Sequence, residues 1–320
     1  MTKKEKVVVL IGPTAVGKTS LSIELAKKFN GEIISGDSMQ IYKGMDIATA
    51  KITKKEMQGI PHHLIDIIEP DESFSVAQFQ ELVRAKITEI TARGKLPIIV
   101  GGTGLYIQSV LYDYQFQETA SDTDFRSKLE VLADKEGSNV VHDMLRKVDP
   151  EAADSIHHHN VRRVIRALEV HHVTGQKMTE LQKQQKRELL YDATIIGLTM
   201  DRELLYERIN LRVDQMVQQG LLEEVSFFYN KGLRNCQSIQ AIGYKELFQY
   251  MDRNQSLEES IEELKQNSRR YAKRQLTWFR NKISVKWFDM TDSVKKGDIS
   301  KKIVEISSFL EGMLQKKQNT

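Results

Sequence analysis

Val7-Val8-Val9-Leu10-Ile11-Gly12-Pro13-Thr14-Ala15-Val16-Gly17-Lys18-Thr19 is the stretch on which the fold turns. Five apolar, mostly β-branched residues make a short buried strand, and the glycine that ends it opens the spacing G-x-x-x-x-G-K-T. Glycines at those places let backbone N–H groups close around phosphate oxygens. The helix that follows adds the positive end of its dipole, Lys18 neutralises charge, and Thr19 offers a hydroxyl to Mg²⁺. Gly12, Pro13, Thr14, Ala15, Val16, Gly17, Lys18 and Thr19 are therefore the expected diphosphate cradle. The plain alternative, a glycine-rich turn with no ligand, has to account for the strand, the helix and the complete spacing together. ATP, GTP and a prenyl diphosphate all carry paired phosphates, so the cradle alone leaves the ligand open.

Working outward, apolar periodicity predicts a helix over 18–29, a strand over 32–35 and a further strand over 64–67. A helix over 76–93 closes on Gly94, and a strand over 97–100 ends in Gly101-Gly102. Alternating strands and helices with continuously apolar strands specify a parallel sheet with crossover helices on both faces, an α/β class. From about 115 to 187 the strand signal lapses into charged helical stretches, and a strand returns over 193–200. This predicts an all-helical domain, 115–190, inserted into a core built from 1–114 and 191–320. Beyond it come helices over 202–219, 222–229, 239–250 and 257–281, a strand over 284–288, a helix over 299–314 and a fraying tail.

Composition narrows the class further. No apolar run approaches the ~20 residues that cross a bilayer, and the opening residues lack the h-region and cleavage site of a signal peptide, so a cytoplasmic protein is expected. The single cysteine, Cys236, permits no internal disulfide and is expected to be a small buried hydrophobe. A net charge of +3 does not by itself mark a nucleic-acid binder. Its distribution says more: 269–286 holds Arg269, Arg270, Lys273, Arg274, Arg280, Lys282 and Lys286 with no acidic residue among them.

Asp37 follows the second strand, so in a parallel sheet it stands at the same carboxyl edge as the cradle. It is a candidate general base or an outer ligand of Mg²⁺; an Asx-turn without chemistry is the bland reading. Gly101-Gly102-Thr103-Gly104 makes a second strand-to-helix turn on that edge, bringing Thr103 to the same crevice. An NTPase would carry a metal-holding aspartate where this strand ends, which argues against a kinase. The pairs His62-His63 and His171-His172 and the triplet His157-His158-His159 lack the spacing of a zinc site; the first pair is expected to shape a loop and the triplet to be exposed.

Taken in order, GPTAVGKTS from Gly12, GDSMQIYKGMDIATAK from Gly36, GIPHHLID from Gly59, GGTGLY from Gly101, RRVIRALEV from Arg162, QAIGYKE from Gln240 and RRYAKRQLTWFR from Arg269 resemble the tRNA dimethylallyltransferases along nearly the whole chain. The resemblance implies transfer of the dimethylallyl group of dimethylallyl diphosphate to N6 of the adenosine 3′ to the anticodon, with Mg²⁺, by a monomer. It implies Asp37, Thr103, Thr19 and Arg212 as catalytic residues, Thr19 holding the metal and Arg212 a second diphosphate contact. It further implies tRNA contacts from Asp37, Ser38, Met39, Gln40, Thr103, Arg126, Arg162, Arg163, Arg166, Gln240, Gly243, Tyr244, Lys273, Arg274, Gln275, Trp278 and Arg280. Read without it, the basic helix is a solvated face with Trp278 and Phe279 in the core, and Arg162, Arg163 and Arg166 are another such face. Where the family reads Asp-Ile-Gly-Thr-Ala-Lys this chain has Ala48, and its loop is expected to bend slightly differently.

Overall fold

The computed structural model describes residues 4–114, 122–184 and 188–316. Position 115, where the insertion was expected to open, and the tail at 317–320 lie outside them. The chain divides into two compact units, Met1–Leu111 with Leu189–Thr320, and Tyr112–Glu188.

The first unit is a sheet of six parallel strands in the order β3-β2-β4-β1-β5-β6. These are β1 (Lys6–Ile11), β2 (Gly31–Gly36), β3 (His62–His63), β4 (Leu96–Gly101), β5 (Asp192–Thr199) and β6 (Lys286–Asp289). Successive side chains of a strand point to opposite faces. On one face Val8 and Leu10 join Leu21 and Leu25 of α1 (Lys18–Lys28) and the buried Ile306 and Leu310. The other receives α3 (Val76–Ala92), where Phe79, Val83, Ile87 and Ile90 recur every three to four residues and are fully buried. Each such side chain contributes about 1.5–3 kcal/mol on burial. Because β1 has neighbours on both edges and helices on both faces, it reads as one unbroken apolar run.

Between these, α2 (Lys54–Met57) is a single turn with a Thr53 capping box, and α4 (Gly104–Leu111) leads out of the unit. The second unit holds α5 (Thr123–Glu136), α6 (Ser138–Val148), α7 (Pro150–Ser155), α8 (Val161–Thr174) and α9 (Met178–Gln184). They close on a core of their own that includes Leu129, Val141, Leu145, Ile156, Val164 and Leu168. The first unit resumes with α10 (Arg202–Gln218), α11 (Leu221–Asn230), α12 (Tyr244–Met251), α13 (Leu257–Lys282), α14 (Thr291–Lys295) and α15 (Ser300–Lys316).

Two expected elements are corrected. The strand placed at 64–67 is instead His62–His63, paired with Ile33 and Ile34, because Leu64 and Asp66 take positive φ of 61° and 54° and leave extended geometry. The same pair of histidines is thus an edge strand rather than a loop. The helix over 239–250 is broken into a 3₁₀ turn at Ser238–Gln240 and α12, since Gly243 at φ 107° cannot continue a helix. Cys236 is half-buried, not a core residue. Among the described residues no helix is long and apolar enough to cross a membrane.

Candidate active site

In a parallel sheet all strands end at one edge, and here the three adjacent strands β1, β4 and β2 deliver the cradle, Gly102-Thr103 and Asp37 to it. The cradle begins with Gly12 at φ 152°, where a Cβ would stand 2.7 Å from the Leu198 carbonyl oxygen of β5. Only glycine fits so close to a neighbouring strand. Lys18 Nζ donates to the carbonyls of Gly12 at 2.9 Å and Pro13 at 2.7 Å. Two arginines one turn apart on α10 brace the loop from outside. Arg212 Nη1 donates to Thr14 Oγ1 at 3.2 Å, and Arg208 Nε to the Ala15 carbonyl at 2.9 Å.

Gln275 of α13 fastens the cradle to the second glycine turn. Its Oε1 accepts the Thr14 N–H at 3.1 Å and its Nε2 donates to the Gly102 carbonyl at 3.1 Å. Thr103 Oγ1 in turn accepts the Ser38 N–H at 3.2 Å, and Asp37 Oδ1 accepts the Met39 N–H at 2.8 Å. Lys18, Thr19, Asp37, Gln40, Arg212, Tyr271 and Arg274 line one cavity of about 370 Å³. A second cavity, of about 940 Å³, also borders Lys18, Thr19 and Arg212, and adds Arg208 and Glu56.

The electrostatics follow from desolvation at this edge. Burial brings the Lys18 ammonium down to about 7, assisted by the nearby Arg212 charge and opposed by Asp37. Burial raises the Asp37 carboxyl, against the pull of the Met39 and Gln40 amides, Lys18 and Arg212. Arg212 is also drawn below its ordinary value by burial, with Asp37 opposing. The Tyr271 phenol is pushed up to about 12, first by burial and then by Asp37, while hydrogen bonds to Thr103 and Gln275 pull it the other way. A carboxylate, two cations and a phenol thus share a space with little water to screen them.

The structure brings the expected cradle, Asp37, Thr103 and Arg212 together. Ser38 and Met39 belong to the Asp37 turn, and Gln240 stands exposed at the cavity rim. On α13 Arg270, Lys273, Arg274, Thr277 and Arg280 are exposed, as are Arg162 and Arg163 on α8. Several of the residues expected at RNA have partners within the chain. Tyr244 is fully buried with its hydroxyl on Glu224, and Gly243 beside it is buried too. Gln275 is buried with both ends of its amide engaged, so it braces the site. Trp278 lies half-buried against Gly104, where a Cβ would come within 2.3 Å of its ring. Arg126 and Arg166 both bond Glu169, fully buried, at 2.7 and 2.6 Å, which neutralises that carboxylate within the insertion while both arginines keep an exposed side. Arg208 and Glu224 escaped the sequence reading, and Tyr271, read there only as part of the basic helix, lines the cavity. Arg208 had a signal, lying four residues before Arg212 on one helical face.

The family model described as IPP transferase matches residues 40–282. A protein of Bacillus cereus (strain AH187) named tRNA dimethylallyltransferase is 64% identical over 317 residues, 99% of this chain and 98% of the relative. The full-length tRNA isopentenylpyrophosphate transferase of Bacillus halodurans is 55% identical, with a TM-score of 0.75 and 99% of both chains covered. A eukaryotic dimethylallyltransferase, solved acting on tRNA, is 34% identical with a TM-score of 0.80, covering 96% of this chain and 80% of its own. With the family model matching 40–282 and sequence shared at this level over nearly the whole length, the chain belongs to the IPP transferase family.

Proposed function

We propose that the chain transfers the dimethylallyl group of dimethylallyl diphosphate to N6 of the adenosine 3′-adjacent to the anticodon of tRNA and releases diphosphate. The observation that carries this reading is a half-buried carboxylate, Asp37, sharing one cavity with Lys18 of the cradle and Arg212 beside it. The names borne by the relatives support both substrates.

Diphosphate would sit in the backbone amides at the start of α1, with Lys18 and Arg212 countering the charge that grows on it as the carbon–oxygen bond breaks. The N6 lone pair attacks the same carbon, and the proton it sheds goes to Asp37 Oδ. A carboxyl raised by burial is a better proton acceptor than an ordinary one. Attack from the side opposite the leaving group requires the adenine to leave the anticodon stack. Thr103, fixed on the Ser38 turn, stands between the cradle side and the Asp37 side of this arrangement. Thr19 is an exposed hydroxyl bordering both cavities, a single oxygen donor that fits Mg²⁺ carried on diphosphate rather than held in a protein cage. When bound, the ion supplies further neutralisation of the leaving group. The exposed basic face of α13 and, within the insertion, Arg162 and Arg163 suit an RNA backbone. In this reading the protein acts as a monomer in the cytoplasm.

The test is to incubate the protein with dimethylallyl diphosphate, Mg²⁺ and an anticodon stem-loop and to weigh the RNA by mass spectrometry. A gain of one dimethylallyl group at the adenosine is expected. Unchanged RNA together with ATP turnover would replace this function with a kinase.

A further inference from the structure

The carboxylate of Glu224, on α11, accepts three consecutive backbone N–H groups. Oε2 takes those of Asp46 at 2.8 Å and Ile47 at 2.7 Å, and Oε1 takes that of Ala48 at 3.1 Å. The Tyr244 hydroxyl donates a fourth bond to Oε1 at 2.7 Å from a fully buried ring. Bonds to an ionised acceptor are about twice as strong as neutral ones, and four of them use up the carboxylate. Packing backs the same loop: a Cβ at Gly243 would lie 2.9 Å from Ala48 Cβ, so the glycine lets this turn close on it.

The loop so held has a consequence inside the cavity, because Ala48, Thr49 and Ala50 form part of its wall. The Thr49 carbonyl accepts Gln40 Nε2 at 3.3 Å, while Ser35 Oγ donates to Gln40 Oε1 at 3.1 Å. A carbonyl only accepts, so the Gln40 amide cannot be turned over without losing this bond. One N–H and one oxygen lone pair of the amide remain for the cavity. That pair matches the N7 acceptor and N6 donor of adenine, and not the two acceptors that guanine or hypoxanthine present at the same edge.

We propose that Glu224 is the positioning residue that sets base choice: it fixes the 46–48 loop, the loop fixes the Thr49 carbonyl, and the carbonyl fixes the reading face of Gln40. The role rests on the prenyl-transfer reading above. Stem-loops carrying adenine or hypoxanthine at the target position are titrated onto the full chain and onto Glu224→Gln, with prenylation of the adenine loop and pyrophosphate binding measured alongside. The wild type is expected to prefer the adenine loop. Glu224→Gln, equal in size but with one oxygen replaced by a donor, is expected to narrow that preference about fivefold or more. Pyrophosphate affinity should change less than about twofold, since Gln275, Arg208 and Arg212 hold the cradle independently. Tyr244→Phe removes one of the four bonds and should narrow the preference by a smaller factor; it carries the test should Glu224→Gln not fold. If the wild type prenylates and the preference is the same in the variant that folds, the role of Glu224 is overturned. A wild type that does not prenylate the adenine loop overturns the underlying function instead.

Discussion

Asp37 and Lys18 are moved from their ordinary protonation by one cause acting in opposite senses: desolvation favours the neutral form of each. For Asp37 the consequence, in the proposed reaction, is a proton acceptor. Asp37→Ala should lower turnover by a factor of ~10² to 10⁴ with RNA affinity nearly intact, because the proposed reaction uses the carboxylate to move a proton and not to anchor the stem-loop. Steady-state turnover and a separate RNA titration check this, and equal losses in both would contradict it. For Lys18 the consequence appears in the ligand-free protein. The unfolded chain holds the Lys18 proton up to its ordinary 10.5, whereas the folded chain gives it up near 7. The penalty is therefore complete below pH 7, and stability recovers as pH rises from 7 toward 10.5. Lys18→Met should be more stable than the wild type by an amount that is largest near pH 6 and shrinks steadily above pH 7. Urea midpoints of both proteins across that range decide it; a pH-independent gap would leave the lysine charged in the fold. The cradle was legible because its residues are contiguous. Glu224 was not, since the backbone groups it holds are 176–178 residues away in the chain.

α13 shows how one helix serves two ends. Leu264, Ala272, Gln275 and Phe279 are buried, while Arg270, Lys273, Arg274 and Thr277 are exposed at the same three-to-four residue spacing on the opposite side. The exposed face was readable from charge alone. The place of Gln275 was not, because a glutamine among lysines and arginines looks solvated until the buried stripe is traced through Ala272 and Phe279. Had the stripe been counted, Gln275 would have stood out as a polar residue at an apolar position, which must find hydrogen-bond partners. It finds them in Thr14 and Gly102, so the element that exposes this row of cations also bolts the two glycine turns together. The strand expected over 64–67 failed for a different reason. Its apolar pattern was adequate, but Leu64 and Asp66 take positive φ, and Asp66 turns to Lys51 Nζ, which also pairs with Asp46. At the scale of this helix, Arg274→Ala should weaken RNA binding and make the slope of log affinity against log salt shallower by roughly one. An unchanged slope would place the docking face elsewhere.

Two cores built from separate stretches of chain make the molecule's stability divisible. The sheet unit was legible because parallel strands buried on both faces leave continuous apolar runs, and the insertion because those runs stop. Its helices announce themselves by amphipathic spacing and by caps: Asp122 accepts the Phe125 N–H, and Asp149 accepts the Ala152 N–H with Pro150 at the first helical position. What the pattern could not give was the buried Glu169, since an acid three residues after an arginine resembles any charged helix face until its burial is known. Because Leu129, Leu145, Val164 and Leu168 pack among themselves, a lesion there belongs to the insertion. Leu145→Ala, at a fully buried position, should cost about 2–5 kcal/mol of the insertion's stability through lost contacts and the cavity left behind. If Arg162 and Arg163 meet RNA, that loosening should weaken stem-loop binding while pyrophosphate binding at the cradle stays as it was. Hydrogen exchange should then accelerate in α6 and α8 and remain slow in β1 and β4. Equal acceleration in the strands would mean that the two cores open as one cooperative body, and loss of pyrophosphate binding would mean that the cradle depends on a fold 100 residues away from it in sequence.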